Sequence, residues 1–147
     1  MAHYSSTLEL HRPVTEVFAF LSVPRNLAEL APADLPLDLV SAPETLSLGA
    51  RLTWKGRRWG ITQHLIYEVT AFEADRRITI EQAQGPLALW IHRHEFEKTE
   101  AGVIVHDHVE FEPPRGLLGR LISASSLQTD LERLFAYRRE RLRAIFG

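Results

Sequence analysis

Apolar positions along this chain keep three successive rhythms, and the changes of rhythm divide it into elements. Tyr4 to Leu10 reads as a short β-like stretch that ends at His11-Arg12-Pro13. Proline is well tolerated at a first helical position, because its missing N–H would be unpaired there anyway. Val14, Val17, Phe18 and Leu21 then keep the i, i+3, i+4, i+7 spacing of a helix with one apolar face. Pro24 opens a second short helix carrying Leu27 and Leu30, which Pro32 and Pro36 terminate.

From about Leu37 to Glu112 the rhythm changes to strands. Arg51–Trp54, Ile61–Phe72, Arg77–Gln84, Leu87–Lys98 and Val103–Glu112 are rich in β-branched and aromatic residues. Gly49, Lys55-Gly56, Glu73–Asp75, Gly85-Pro86 and Glu100–Gly102 punctuate them as turns. Nothing between these runs is long enough for a helical crossover, so the sheet is expected to be antiparallel. Pro113-Pro114-Arg115-Gly116 ends it, and Leu117 to Phe146 reads as helix. Leu127, Leu131, Leu134, Phe135, Leu142 and Ile145 form its apolar stripe. Ser123–Ser126 interrupts the pattern and predicts either a kink or a late start.

A long sheet with one apolar face needs a cover, and only the last helix is long enough to supply it. The expected fold is therefore α+β. A strongly curved antiparallel sheet of about six to seven strands wraps the long C-terminal helix, with two short helices after the first strand. Such an arrangement leaves a cleft at its open end, a common place for a ligand.

Length and composition narrow the function more by exclusion than by assignment. A chain of 147 residues fits one domain, residues 1–147. A net charge of −2 offers no electrostatic reason to expect nucleic acid or an anionic membrane as partner. The absence of cysteine rules out disulfides, thiol catalysis and zinc–thiolate sites. No apolar run is long enough to span a membrane, and Met1–Leu10 is not a charged start followed by an apolar run. A cytoplasmic location is the expectation. Phosphate-binding glycine loops, serine-nucleophile elbows and internal repeats are all missing from the sequence.

The informative chemistry lies in Trp90-Ile91-His92-Arg93-His94-Glu95-Phe96 and in the run from Val103 to Phe111. Alternate residues of a strand share a face. Val103, Val105, Asp107, Val109 and Phe111 mark the buried face of the second run, leaving His106 and His108 toward solvent. In the first run Trp90 and Phe96, set against Arg93 and Glu95, place Trp90, His92, His94 and Phe96 inward. A turn centred on Glu100-Ala101 then sets Phe96 opposite Val105, His94 opposite Asp107, His92 opposite Val109 and Trp90 opposite Phe111. The apolar pairs match, which supports the register.

That register puts His94 beside Asp107 on a buried face, where a carboxylate favours the imidazolium and orients the ring by a hydrogen bond. The pair reads either as a satisfied polar contact that pins the hairpin or as a group for polar recognition or proton transfer. His92 and His94 offer two metal ligands on one face, but His106 and His108 point the other way and a third ligand is needed from elsewhere. Neither a metal nor a cofactor is expected. Arg138 falls at the centre of the helix's apolar stripe, where an unpaired charge is costly. It reads either as an ion-pair partner of Asp107 or as the anchor for an acidic or carbonyl head of a ligand. Gln82 shares a face with Ile78 and Ile80, as a cleft-lining amide or as a strand-edge residue near the turn.

At these residues the chain resembles the SRPBCC superfamily, which includes START-type lipid carriers, polyketide cyclase/dehydrase-like proteins and pollen-allergen-type carriers. The order strand, two helices, meander and long helix is similar to its helix-grip architecture over nearly the whole length. One bacterial branch is similar in more detail. The shared residues are Gln82, Gly85-Pro86, Trp90, His92, His94 and Phe96, then Asp107, Val109, Phe111, Pro114, Gly116 and Leu118-Gly119, and finally Phe135, Tyr137 and Arg138. The resemblance implies a hydrophobic cavity between sheet and long helix. With the residues above, it leads to an expected partner: a small hydrophobic or amphipathic molecule of the lipid, polyketide or isoprenoid class. Its binding residues are expected to be Gln82, Trp90, His92, His94, Phe96, Asp107, Phe111, Phe135 and Arg138. The alternative is a cyclase/dehydratase-like enzyme in which His94 with Asp107 moves a proton and Arg138 steadies an oxyanion or carbonyl.

Overall fold

The computed structural model describes residues 2–34, 37–58 and 61–147, with the backbone alone at 57, 58, 61 and 118. Strand β1 (Ala2–Leu10) leads into helices α1 (Val14–Leu21) and α2 (Pro24–Glu29). The meander follows as β2 (Leu37–Ser41), β3 (Arg51–Arg58), β4 (Ile61–Glu73), β5 (Arg77–Gln84), β6 (Leu89–Lys98) and β7 (Val103–Glu112). A short helix α3 (Leu117–Leu121) and the long helix α4 (Ala124–Phe146) complete the chain. This is the expected α+β helix-grip architecture: one seven-stranded sheet in the order β1-β7-β6-β5-β4-β3-β2, every neighbour antiparallel.

Bulges make the curvature. The β4–β5 register shifts between Ile66 and Tyr67 and again between Val69 and Ala71, and β2–β3 shifts between Leu39 and Ser41. Each extra residue bends its strand and increases the local twist, so the sheet curls toward α4. The helix lies on β1, where the Tyr4 and Phe135 rings meet at 5.1 Å. At its end, Arg12 of the β1–α1 corner donates to the Phe146 carbonyl at 3.0 Å.

The last helical region breaks in two at the expected weak spot, because the Ser123 side chain accepts from the Ser126 N–H and caps a fresh start to α4. Two local expectations are corrected. The apolar stripe ends on Phe146, which packs edge-on against Phe20, and Ile145 points outward. Lys55-Gly56 is no turn, since β3 continues to Arg58. A Cβ at Gly56 would sit tight against the Leu65 side chain at 3.3 Å and in ordinary contact with Leu37 at 3.5 Å, on the two neighbouring strands. Pro36, an expected helix terminator, lies outside the described residues.

Apolar side chains collect in two clusters. One joins Leu8, Val17, Phe18, Ile78, Phe96 and Leu142, among others, at the end of the sheet nearer α1. The other joins Tyr4, Val109, Phe111, Leu127, Leu131 and Phe135 at the opposite end. Fully burying a large apolar side chain contributes roughly 1.5–3 kcal/mol, so each cluster holds its stretch of α4 down. Among the described residues no helix is long and apolar enough to cross a membrane.

The β6–β7 hairpin sets the register of the buried face. Thr99 and Gly102 exchange backbone hydrogen bonds around Glu100-Ala101, and the Thr99 hydroxyl takes a second bond from the Gly102 N–H. A Cβ on Gly102 would lie 2.2 Å from the Leu10 carbonyl oxygen and 2.8 Å from the Arg12 nitrogen, so only glycine fits against the end of β1. Gly102→Ala is expected to destabilise the fold by more than about 1 kcal/mol, read from the urea midpoint. An unchanged midpoint would mean that the hairpin moves freely away from β1.

Candidate functional site

Between the two apolar clusters runs a layer of polar side chains. The register places Ser6 of β1 opposite Asp107 of β7, and Asp107 opposite His94 of β6. His92 is one inward position along β6, and α4 supplies Arg138 and Arg139 from above. All four expected β6–β7 pairs, from Phe96–Val105 to Trp90–Phe111, are present. His92, His94 and Asp107 are buried, with His94 only 2% exposed.

The geometry inside the layer differs from the expected His94–Asp107 bond. His92 Nε2 donates to Asp107 Oδ1 at 2.8 Å. His94 Nδ1 is 3.1 Å from the same oxygen but is not aligned for a hydrogen bond, and it has no other partner. The two imidazoles lie against each other with ring centres 3.8 Å apart. Phe135 meets His92 edge-on at 5.3 Å, and Trp90 approaches it in the same manner at 6.3 Å. Three ligand-type atoms, one from each of His92, His94 and Asp107, thus fall within 4.8 Å of one another.

Burial also reverses the expected charge on the imidazoles. Desolvation, aided by the His94 and Arg138 charges and opposed by Asp107, pushes the His92 pKa down to about 3. Burial lowers His94 as well, against the pull of Asp107. A charged ring costs more to bury than one carboxylate returns. Burial works against the Asp107 charge too, but the contacts from His92 and His94 and the Arg138 charge outweigh it, and its pKa falls well below the usual range. The layer therefore holds one carboxylate, two neutral imidazoles and two guanidiniums, with Arg139 bonded to Ser6.

Arg138 does not pair with Asp107. Among the described residues it makes neither an ion pair nor a hydrogen bond, and its guanidinium lies over the Phe135 ring at 5.2 Å. Burial lowers its pKa and the Asp107 charge offsets part of that, yet a guanidinium stays protonated. The side chain remains half-buried, as do Trp90, Leu134, Tyr67 and Gln82 around the same concave face.

The other expected site residues divide between lining and framework. Phe111 is fully buried beside Phe135, whereas Phe96 lies across the polar layer, edge-on to Phe18 at 5.0 Å. Gln82 spends its amide on the turn, donating to the Leu87 carbonyl at 2.7 Å and accepting from the Leu87 N–H at 3.4 Å. Reasoning from sequence passed over three residues of the concave face: Ser6, Arg139, which donates to the Ser6 hydroxyl, and Tyr67. Burial raises the Tyr67 pKa to about 12, which keeps its phenol protonated. The alternation Leu65-x-Tyr67-x-Val69 carried the signal for Tyr67. Nothing local marked Ser6.

On the convex face His106 bonds Glu97, and His108 bonds Ser5 and approaches His3, all partly in solvent as expected for His106 and His108. An open groove of about 710 Å³ on this side, walled by Ser5, Thr7, Glu95, Glu97, His106 and His108 among others, is too polar for an apolar ligand.

With sheet, helix and polar layer in place, the likeness to known proteins can be weighed. The family model described as polyketide cyclase/dehydrase and lipid transport matches residues 1–146. The chain belongs to this polyketide cyclase/dehydrase and lipid-transport family. Solved structures agree on the fold. A Thermus thermophilus protein superposes with a TM-score of 0.72 at 15% identity, covering 99% of this chain and 100% of that one. A Mycobacterium smegmatis protein gives 0.70 at 18% identity, covering 99% and 90%. One from Arthrobacter aurescens gives 0.70 at 14% identity, covering 93% and 83%. No curated protein matches the sequence significantly. At these identities the structural likeness speaks for the fold alone.

The neutral imidazoles of this family member make its stability depend on acid. Once the pH falls through about 6.5, histidines in the unfolded chain take up protons that His92 and His94 refuse, so the unfolded state binds more and stability drops. Asp107 acts in the same direction below about 4, where the unfolded carboxyl protonates and the folded one does not. Between about pH 7.5 and 5.5 the His92 ring alone is expected to cost about 1 kcal/mol, with His94 adding in the same direction, read from urea unfolding at each pH. His94→Gln should make that slope shallower. Equal stability at both pH values would mean that the rings are solvated.

Proposed function

We propose that the domain binds a small hydrophobic or amphipathic molecule, of the lipid, polyketide or isoprenoid class, between the concave face of the sheet and α4. One observation carries the reading: Arg138 is a half-buried cation on the apolar stripe of α4, with no anion paired to it among the described residues. Even partial burial strips such a charge of some of its water, and an acidic or carbonyl head group offsets that loss. The half-buried Trp90 and Leu134 offer apolar surface beside it. Family membership supports the ligand class, since its description names lipid transport beside cyclase and dehydrase activity.

A second reading, a cyclase/dehydratase-type enzyme, is favoured by the free Nδ1 of His94. A neutral imidazole with an unengaged nitrogen can exchange a proton, Asp107 fixes its surroundings, and Arg138 steadies an oxyanion or carbonyl. Native mass spectrometry of the purified protein separates the two. A co-purified molecule recovered with unchanged mass supports the binder, and one that loses water on incubation supports the enzyme.

Arg138→Met tests the anchor. A charge-assisted hydrogen bond contributes on the order of 1.5–3 kcal/mol, so affinity for a fatty acid should fall about tenfold or more. Affinity for the matching neutral alcohol should change little, and the melting temperature should fall moderately at most. Equal weakening of both ligands, or collapse of the fold, would leave Arg138 a structural residue.

A further inference from the structure

The expectation of no metal rests on a count of two imidazoles and a missing third ligand. Asp107 is that third ligand. His92 and His94 stand at i and i+2 on one face of β6, and Asp107 faces them from β7. Of the two such clusters among the described residues, this is the buried one.

We infer that His92 Nε2, His94 Nδ1 and the Asp107 carboxylate form a binding site for a first-row divalent cation of the zinc or iron(II) kind. Two imidazoles and one carboxylate with open positions is a donor set such ions accept. The two spacings to the carboxylate fit with little movement, and the two nitrogens lie within 4.8 Å of each other. Oδ1 of Asp107 is 2.8 Å from His92 Nε2 and 3.1 Å from His94 Nδ1. Donors about 2.0–2.2 Å from one ion in tetrahedral geometry stand about 3.3 Å or a little more apart, so they need part by only a few tenths of an ångström.

The direction of His94 is the second argument. Its Nδ1 is buried, lies within 3.1 Å of a carboxylate oxygen, and still makes no hydrogen bond, because the nitrogen aims past that oxygen. Buried polar atoms without partners are rare and call for an explanation. An ion seated beside the line between the two atoms, and not on it, supplies the missing partner. Phe135 and Trp90 pack on the His92 ring, which in turn packs on His94, and such packing preorganises a site.

Charge then selects what completes the coordination. One carboxylate leaves a divalent ion with surplus positive charge, and Arg138 adds to it. The open positions therefore take an anionic oxygen, from hydroxide or from the carboxylate or enolate of a bound molecule. The metal site itself does not rest on the ligand proposed above, and its test contains no amphiphile.

Protein freed of metal by a chelator and then dialysed is titrated with Co²⁺ alone. The expected result is visible d–d absorption that saturates at one equivalent per chain. His94→Gln and Asp107→Asn should each weaken binding by more than the roughly 10–100-fold that loss of an outer-shell partner costs. A double variant, His3→Ala with His108→Ala, disables the exposed cluster of His3, His108 and Glu110 and should leave the bands intact. Absent bands in the wild-type protein would overturn the inference, as would bands that survive both inner substitutions or vanish in the outer double variant. Should the inner variants not fold, Co²⁺ broadening of wild-type NMR signals decides. Broadening centred on His92 and His94 supports the site, and broadening centred on His3 and His108 overturns it.

Discussion

The organisation of this domain depends on where it puts one carboxylate. Asp107 sits on the buried face of a central strand, and an ion there is tolerated only if donors and charge surround it. His92 supplies the donor, Arg138 the opposite charge at longer range, and Ser6 with Arg139 extends the polar row to the sheet edge. The groups that satisfy Asp107 come from β6 and α4, so the carboxylate on β7 demands that three elements meet in one register, and the Ser6–Arg139 bond ties β1 to the same row. A slip of one residue in the β6–β7 hairpin would turn both imidazoles to solvent and leave the carboxylate buried alone.

The polar row also shapes the apolar interior. Leucine and phenylalanine side chains lie on both sides of it, in one cluster near α1 and another near the start of α4. α4 follows the same plan, with Leu131 and Phe135 on one side, Arg138 and Arg139 at the row, and Leu142 and Phe146 on the other. The apolar clusters hold the helix down and the row fixes its position along its own axis, because apolar contacts are non-directional and hydrogen bonds are not. The half-buried, unpaired guanidinium and the buried, unbonded imidazole nitrogen stand out against this otherwise satisfied framework. Functional sites gather where a fold leaves such polar groups unmatched.

Strand and helix periodicity, read from the sequence alone, determined the α+β class, the order of elements, the inward faces of β6 and β7 and their pairing. Those features follow from local geometry: side chains alternate on a strand and recur every three or four residues on a helix. The same reading marked His92, His94, Asp107 and Arg138 as one group, since a polar residue on an apolar face is conspicuous in any periodic pattern. Only the tertiary structure decided how the group is wired. It moved the hydrogen bond from the cross-strand neighbour His94 to the diagonal His92, because ring orientation depends on Phe135 and Trp90 packing from other elements. It made the imidazoles neutral, because desolvation depends on how much protein lies overhead, which no strand pattern reports. It brought in Ser6 from more than eighty positions upstream of either histidine, separated Arg138 from Asp107, and engaged Gln82 at a turn. Periodicity states which face a residue occupies, whereas distance and direction across that face are set by every element that packs on it.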